Sequence, residues 1–172
     1  QTFDAYRNGD IDAAWLPEPW SSRLVLDAGA KVLVDERDLW PDGKFPTTVL
    51  IVRTQYLAEH PQTVQSFLRG LLASIDWANG NKVEAQAVAN EALKKLTGKA
   101  LSQPVIERAF ANITLSLDPL AATFPQLAKD AVTTGSSKST PDLKGLVDLG
   151  LLNGMLTAVG KPTVDAAGLD KK

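Results

Sequence analysis

The feature that most constrains the fold is a change in hydrophobic periodicity near residue 53. Before it, three short apolar or β-branched runs, 11–16, 31–35 and 47–53, predict strands. After it, apolar residues recur at the i, i+3, i+4 and i+7 spacing of helical faces. A predicted helix over 21–28 joins the first two strands, which favours parallel pairing. The pattern therefore predicts an α/β fold that is rich in helix, with a few mostly parallel strands.

The later helices are predicted from apolar stripes together with terminal signals. The longest stripe runs from Val64 to Ile75 and follows Pro61, a residue favoured at the first helical position. Glycines that end helices and serines that begin them mark further boundaries. The other expected helices are one running into Gly9, one from about 85 to Gly98, one capped by Ser102, one over 124–134 and one from near 141 to 160.

Three strands are few for a sheet flanked by so many helices. A parallel sheet is normally covered by helices on both faces, so these strands look like parts of sheets whose other strands lie elsewhere. A chain of 172 residues has the length of one domain, but its strand count indicates parts of two domains.

The sequence also begins without Met inside a predicted helix, and we expect a preceding segment. Alone, such a chain would expose strand edges, which favours dimerisation or segment exchange.

Composition excludes several classes of function. Lys and Arg number 18 against 20 Asp and Glu, so no basic excess indicates a nucleic-acid partner. The absence of cysteine removes disulfides, thiol nucleophiles and thiolate zinc sites. The single histidine, His60, precedes a proline at a helix start, where it caps the helix or stays solvated. With no phosphate-cradling glycine motif either, we predict no catalytic residue, metal or cofactor.

The turn after the first predicted strand is the strongest candidate for a binding site. Residues 12–21 hold two prolines, two tryptophans and two acids, Asp12 and Glu18, around the turn from a strand to a helix. Ligands of open α/β sheets bind beyond the carboxyl ends of strands, where the following helix presents free N–H groups to an anion. The candidate ligand-binding residues are Glu18, Pro19, Trp20 and Ser21. Trp15 is expected in the core, whereas structural and ligand-binding roles both stay open for Glu18 and Trp20.

A second candidate is the pair Thr47 and Thr48, which opens the third predicted strand after a loop. Their hydroxyl and N–H groups are placed to line a cleft. Threonine is also an ordinary strand residue, so a purely structural role stays open.

Residues 9–20, together with 31–34 and 47–52, resemble the ABC-transporter substrate-binding proteins of the aliphatic sulfonate, taurine and nitrate type. Residues 56–61 and 142–153 also resemble this family. The resemblance implies a fold like the type II periplasmic binding proteins, with two α/β lobes, and matches only the C-terminal portion. On that basis residues 1–46 complete the second lobe, and residues 47–172 return to the first.

The resemblance implies binding without chemistry. The protein would be periplasmic or otherwise extracytoplasmic, free or lipid-anchored. It would hold a small anionic organic solute, such as an alkanesulfonate or taurine, in a cleft between the lobes and deliver it to a membrane permease. Backbone N–H groups and hydroxyls near the turn and the threonine pair would hold the anionic head, and tryptophan would face the organic tail. Nitrate, bicarbonate and aromatic or pyrimidine ligands stay open as well.

Two alternatives belong to other classes of function. An enzyme branch that makes the thiamine pyrimidine shares this fold, but it relies on histidine and cysteine chemistry that this composition does not offer. A helical interaction module would use the stripe over 64–75 to dock a partner, although that stripe also fits an ordinary core-facing surface.

Overall fold

The computed structural model describes residues 1–170, and these are rich in helix. Short 3₁₀ segments cover Glu36–Leu39, Pro41–Gly43 and Ala121–Thr123. Within residues 1–170 no helix is long and apolar enough to cross a bilayer. The α-helices are α1 Thr2–Asn8, α2 Trp20–Ala28, α3 Thr54–Glu59, α4 Pro61–Gly80, α5 Lys82–Thr97, α6 Gln103–Asn112, α7 Phe124–Thr133 and α8 Gly150–Ala158.

Seven of the helices in residues 1–170 correspond to predicted ones, because their boundaries depend on local signals, whereas α3 was not predicted. Gly29 and Gly98 follow α2 and α5 with φ of 70° and 79°, a left-handed conformation that favours glycine. The last helix begins at Gly150 rather than near residue 141. There the Asp148 carboxylate accepts the Gly150 N–H at 3.0 Å, in the way an aspartate initiates a turn or helix.

The predicted strands are not confirmed. In the described part of the chain, residues 11–16, 31–35 and 47–53 form no strand. Leu33 is 92% exposed and Ile51 is 85% exposed. A strand is stabilised by a ladder with a neighbour, and these runs have no partner strand among residues 1–170. The helix-rich part of the predicted fold class therefore holds, and the few mostly parallel strands do not form here.

Residues 1–35 and 75–115 form one compact unit. Helix α2 packs against α1 and α6, and α6 packs against α5. The buried face of α6 consists of Val105, Ile106 and Ala109, at helical spacing, with Leu24 of α2 also buried. This packing brings the start of α2 against the second half of α6, which positions the candidate site.

Residues 36–74 and 116–170 form the second compact unit. Leu72 of α4 packs with Leu152 and Leu156 of α8 in one apolar cluster. A second cluster contains Ala121, Val147 and Ala166. Among the described residues, the core of this unit is therefore formed by helices α4 and α8 and by irregular segments, with no sheet.

Candidate functional site

The first N–H groups of α2 donate hydrogen bonds to acceptors in the preceding turn. The N–H groups of Trp20 and Ser21 donate to the carbonyl of Pro17 at 3.1 and 3.2 Å. The N–H of Ser22 donates to Glu18 Oε2 at 3.0 Å. These three groups are the donors that a helix start leaves available to an anion. The expectation that they are free is therefore wrong, because the chain itself supplies an acceptor for each of them.

Two side chains of α6 hold the other oxygen of Glu18. Asn112 Nδ2 donates to Glu18 Oε1 at 2.7 Å, and Arg108 Nη1 approaches the same oxygen at 3.4 Å. Arg108 Nη1 also donates to Ser22 Oγ at 3.0 Å. The side chain of Glu18 is only 11% exposed, and that of Arg108 is 30% exposed. The carboxylate thus has donors on both oxygens and a cation beside it.

This arrangement ties the turn to α6. A hydrogen bond to a charged group contributes about 1.5–3 kcal/mol, and the positive end of the α2 dipole adds a smaller attraction. The partial exposure of Arg108 screens the ion pair, so the Asn112 bond and the Ser22 N–H are the larger contributions. Glu18 is therefore held in place by groups from two helices.

Arg108 and Asn112 are not indicated as site residues by the sequence. They lie 90 and 94 residues after Glu18, and no local motif connects them to it. Their only sequence signal is the i, i+4 spacing that places two polar side chains on one face of a helix.

An apolar cavity of about 290 Å³ lies beside the turn, and Glu18 is its only charged wall residue. Helices α5 and α6 supply the apolar walls. Such a volume is near the lower end for small-molecule pockets and suits an apolar group. The lining residues are Glu18, Pro19, Ala89, Leu93, Ile106, Ala109, Phe110 and Ile113.

The structure keeps the candidate residues of the turn together in one unit. Trp20 is 39% exposed, and Pro19 and Ser21 are half-buried. Trp15, expected in the core, is 66% exposed, because the strand that would bury it does not form. Ligand contact by the turn stays a prediction.

Thr47 and Thr48 lie in the other unit, and both are exposed. They precede the unpaired run that was predicted as the third strand. Their part in ligand binding likewise stays a prediction.

His60 lies between α3 and α4, and its carbonyl accepts the N–H groups of Thr63 and Val64 at the start of α4. Its ring lies 4.7 Å from that of Tyr56. Over residues 1–170, no three acidic or histidine side chains converge as they would around a metal ion.

Comparison with known proteins supports the resemblance stated above. The model of the NMT1-like family matches residues 1–93, a stretch that includes the whole turn. A Bacillus subtilis protein assigned as an aliphatic sulfonates-binding protein is 30% identical over 114 residues, which cover 65% of this chain. The bicarbonate-binding protein CmpA of Synechococcus sp. and that of Synechococcus elongatus are each 26% identical over 114 residues, or 62% of this chain.

These matches span only part of the relatives. They cover 31% of the Bacillus protein and 24% of each CmpA protein. No solved structure matches the chain significantly. The likeness to binding proteins of the sulfonate, nitrate and bicarbonate type is nevertheless confirmed.

Proposed function

Because this chain belongs to the NMT1-like family, we propose that it is part of the solute-binding component of an ABC importer. The proposed ligand is a small anionic organic solute, such as an alkanesulfonate or taurine. The observation that carries the proposal is the match to proteins whose names specify small oxyanions as ligands, sulfonates and bicarbonate. The family match includes the turn at which we place part of the site.

The proposed mechanism is binding by the turn and the threonine pair. Trp20, partly exposed, supplies an apolar wall, and Ser21, Thr47 and Thr48 supply hydroxyl groups. Glu18 and Pro19 line the apolar cavity beside the turn and would contact the solute there. Because the first N–H groups of α2 already have acceptors, the anionic head of the solute is held by other donors.

We further propose that residues 1–46 belong to one lobe of the family fold and residues 47–172 to the other. Lobe closure around the solute would expel water and strengthen charge-assisted hydrogen bonds. The solute would then pass to a membrane permease. We place the protein outside the cytoplasmic membrane, in line with the function of importers.

The enzymatic alternative has less support. The relatives described above are named as binding proteins. A thiamine-pyrimidine mechanism needs cysteine and histidine groups, and this sequence has no cysteine and one histidine. Turnover of a sulfonate or a pyrimidine precursor by the purified chain would contradict the binding-only proposal.

Thermal unfolding of the chain with propanesulfonate, taurine, nitrate or bicarbonate tests the proposal. Sodium chloride at equal ionic strength is the reference. At a concentration 100 times Kd, a ligand stabilises by about 2.7 kcal/mol, which raises the Tm of a chain of this size by about 5–11 °C. At least one of the anions is expected to give a saturable rise.

Variants then locate the site. Trp20→Ala is expected to weaken the response, while the control Trp15→Ala, which also removes an exposed tryptophan, leaves it unchanged. Thr48→Ala is compared in the same way with Thr114→Ala, at another exposed threonine. If no anion raises Tm, or if each variant and its control respond alike, the proposed function or its placement is wrong.

A further inference from the structure

Three donor groups converge on the Glu18 carboxylate. They are the N–H of Ser22 near the start of α2, the guanidinium of Arg108 and the side-chain amide of Asn112, at 3.0, 3.4 and 2.7 Å. Helix-start N–H groups and guanidinium groups are the usual protein partners of carboxylates and other oxyanions. We call this donor set the Glu18 cradle. It holds an anion that belongs to the chain itself.

We propose that Glu18 acts as an internal anion, which fills the cradle and excludes small oxyanions from the start of α2. Both oxygens of Glu18 accept hydrogen bonds from the cradle, and the side chain is 11% exposed. An incoming anion would place a second negative charge beside the carboxylate and would find its donors in use. Glu18 is thereby a specificity-determining residue that acts by exclusion.

This inference refines the site, and in that respect it rests on the proposed function. A solute with an anionic head would not bind head-first at α2. Its head would contact donors elsewhere, while the turn would contact the rest of the molecule through Trp20. Exclusion at the cradle would therefore orient the solute.

Removal of the Glu18 carboxylate should allow the cradle to bind a small external anion. Glu18→Ala removes the carboxylate and leaves the donors of Ser22, Arg108 and Asn112 around the vacated space. Formate carries the same carboxylate group without the side chain. We expect Glu18→Ala to lower Tm by about 2–8 °C, because the buried Ser22 N–H and the half-buried Arg108 and Asn112 side chains lose their acceptor. Sodium formate should then restore at least half of that loss in a saturable way.

The test measures the Tm of the full chain in sodium formate and in sodium chloride of equal ionic strength. The wild type should respond equally to the two salts, whereas Glu18→Ala should respond more to formate. Adding Arg108→Ala to Glu18→Ala should abolish the formate effect, because the cation of the cradle is gone. Glu18→Gln should also show none, because its amide fills the space. Equal responses of Glu18→Ala to both salts, or a formate-specific rise in Glu18→Ala no larger than that in the wild type, would overturn the proposal.

A measurement on the wild type keeps the proposal testable if Glu18→Ala does not fold. In ¹H–¹⁵N NMR spectra, the Ser22 amide and the Asn112 side-chain amide should show no saturable shift with formate beyond that with chloride. A saturable shift would show that the cradle accepts an external anion beside Glu18, against the proposal. These readouts need no solute, so failure of every solute to bind would reject the proposed function without affecting them.

Discussion

Asn90 of α5 pairs with the backbone in the way that a neighbouring strand would. Its Nδ2 donates to the carbonyl of Leu101 at 2.9 Å, and its Oδ1 accepts the N–H of the same residue at 2.9 Å. One side-chain amide thus satisfies both peptide groups of a residue in the connection between α5 and α6. We predict that this pair of bonds makes Asn90 more important for stability than a helix asparagine with a single exposed side-chain bond, such as Asn79.

The substitution Asn90→Asp isolates one of the two bonds. It preserves the size of the side chain but replaces the donor with a carboxylate oxygen, which then faces the Leu101 carbonyl. Loss of a hydrogen bond that leaves a buried partner unsatisfied costs about 1–3 kcal/mol. Because Asn90 is only half-buried, water compensates in part, and we expect about 1–2 kcal/mol. For a chain of this size, that corresponds to a fall in Tm of about 2–8 °C.

Thermal unfolding followed by circular dichroism at pH 7 measures this loss. The matched control is Asn79→Asp, which removes a single exposed bond from Asn79 Nδ2 to the Leu115 carbonyl at 3.2 Å and should cost less than about 0.5 kcal/mol. Below about pH 4 the introduced carboxyl is protonated and can donate again, so the deficit at Asn90 should shrink. Equal losses at the two positions, or a deficit that does not change with pH, would refute the reasoning.

Two further predictions concern the core and the exposed runs. Ile106→Ala should cost about 2–5 kcal/mol in chemical denaturation, because Ile106 is 2% exposed, whereas Ile113→Ala at 38% exposure should cost clearly less; similar costs would contradict the assigned core. Leu33→Lys with Ile51→Lys should reduce self-association in light scattering and change stability by about 0.5 kcal/mol or less, as expected for exposed residues. A wild-type chain that is already a monomer would refute the expected oligomerisation.

The helices could be predicted because the signals that bound them are local. Pro61 begins α4, and Gly98 ends α5 in a left-handed conformation, just as the sequence pattern predicts. The runs over 31–35 and 47–53 have equally clear strand propensity. Propensity does not supply a partner strand, however, and within residues 1–170 neither run has one.

The role of Glu18 could not be predicted for a related reason. Its position between two prolines at a predicted helix start left a structural role and a ligand-binding role both open. The hydrogen-bond partners of the Glu18 carboxylate depend on which side chains the fold brings near it. Two of these partners, Arg108 and Asn112, lie on a helix about 90 residues later in the chain. Only the packing of α2 on α6 reveals them.

The chain satisfies peptide groups by side-chain amides in both compact units. Asn153 Nδ2 donates to the Val164 carbonyl at 2.9 Å and its Oδ1 accepts the Val164 N–H at 2.8 Å, with the same 11-residue separation as between Asn90 and Leu101. Within residues 1–170, no comparable amide or backbone bond links residues 49–52 to another segment. Residues 49–52 therefore combine unpaired peptide groups with exposed apolar side chains. Pairing with an added strand would stabilise this run more than the segments whose peptide groups Asn90 and Asn153 already bind. Self-association, where it occurs, is therefore expected to begin at such runs rather than at the helical faces.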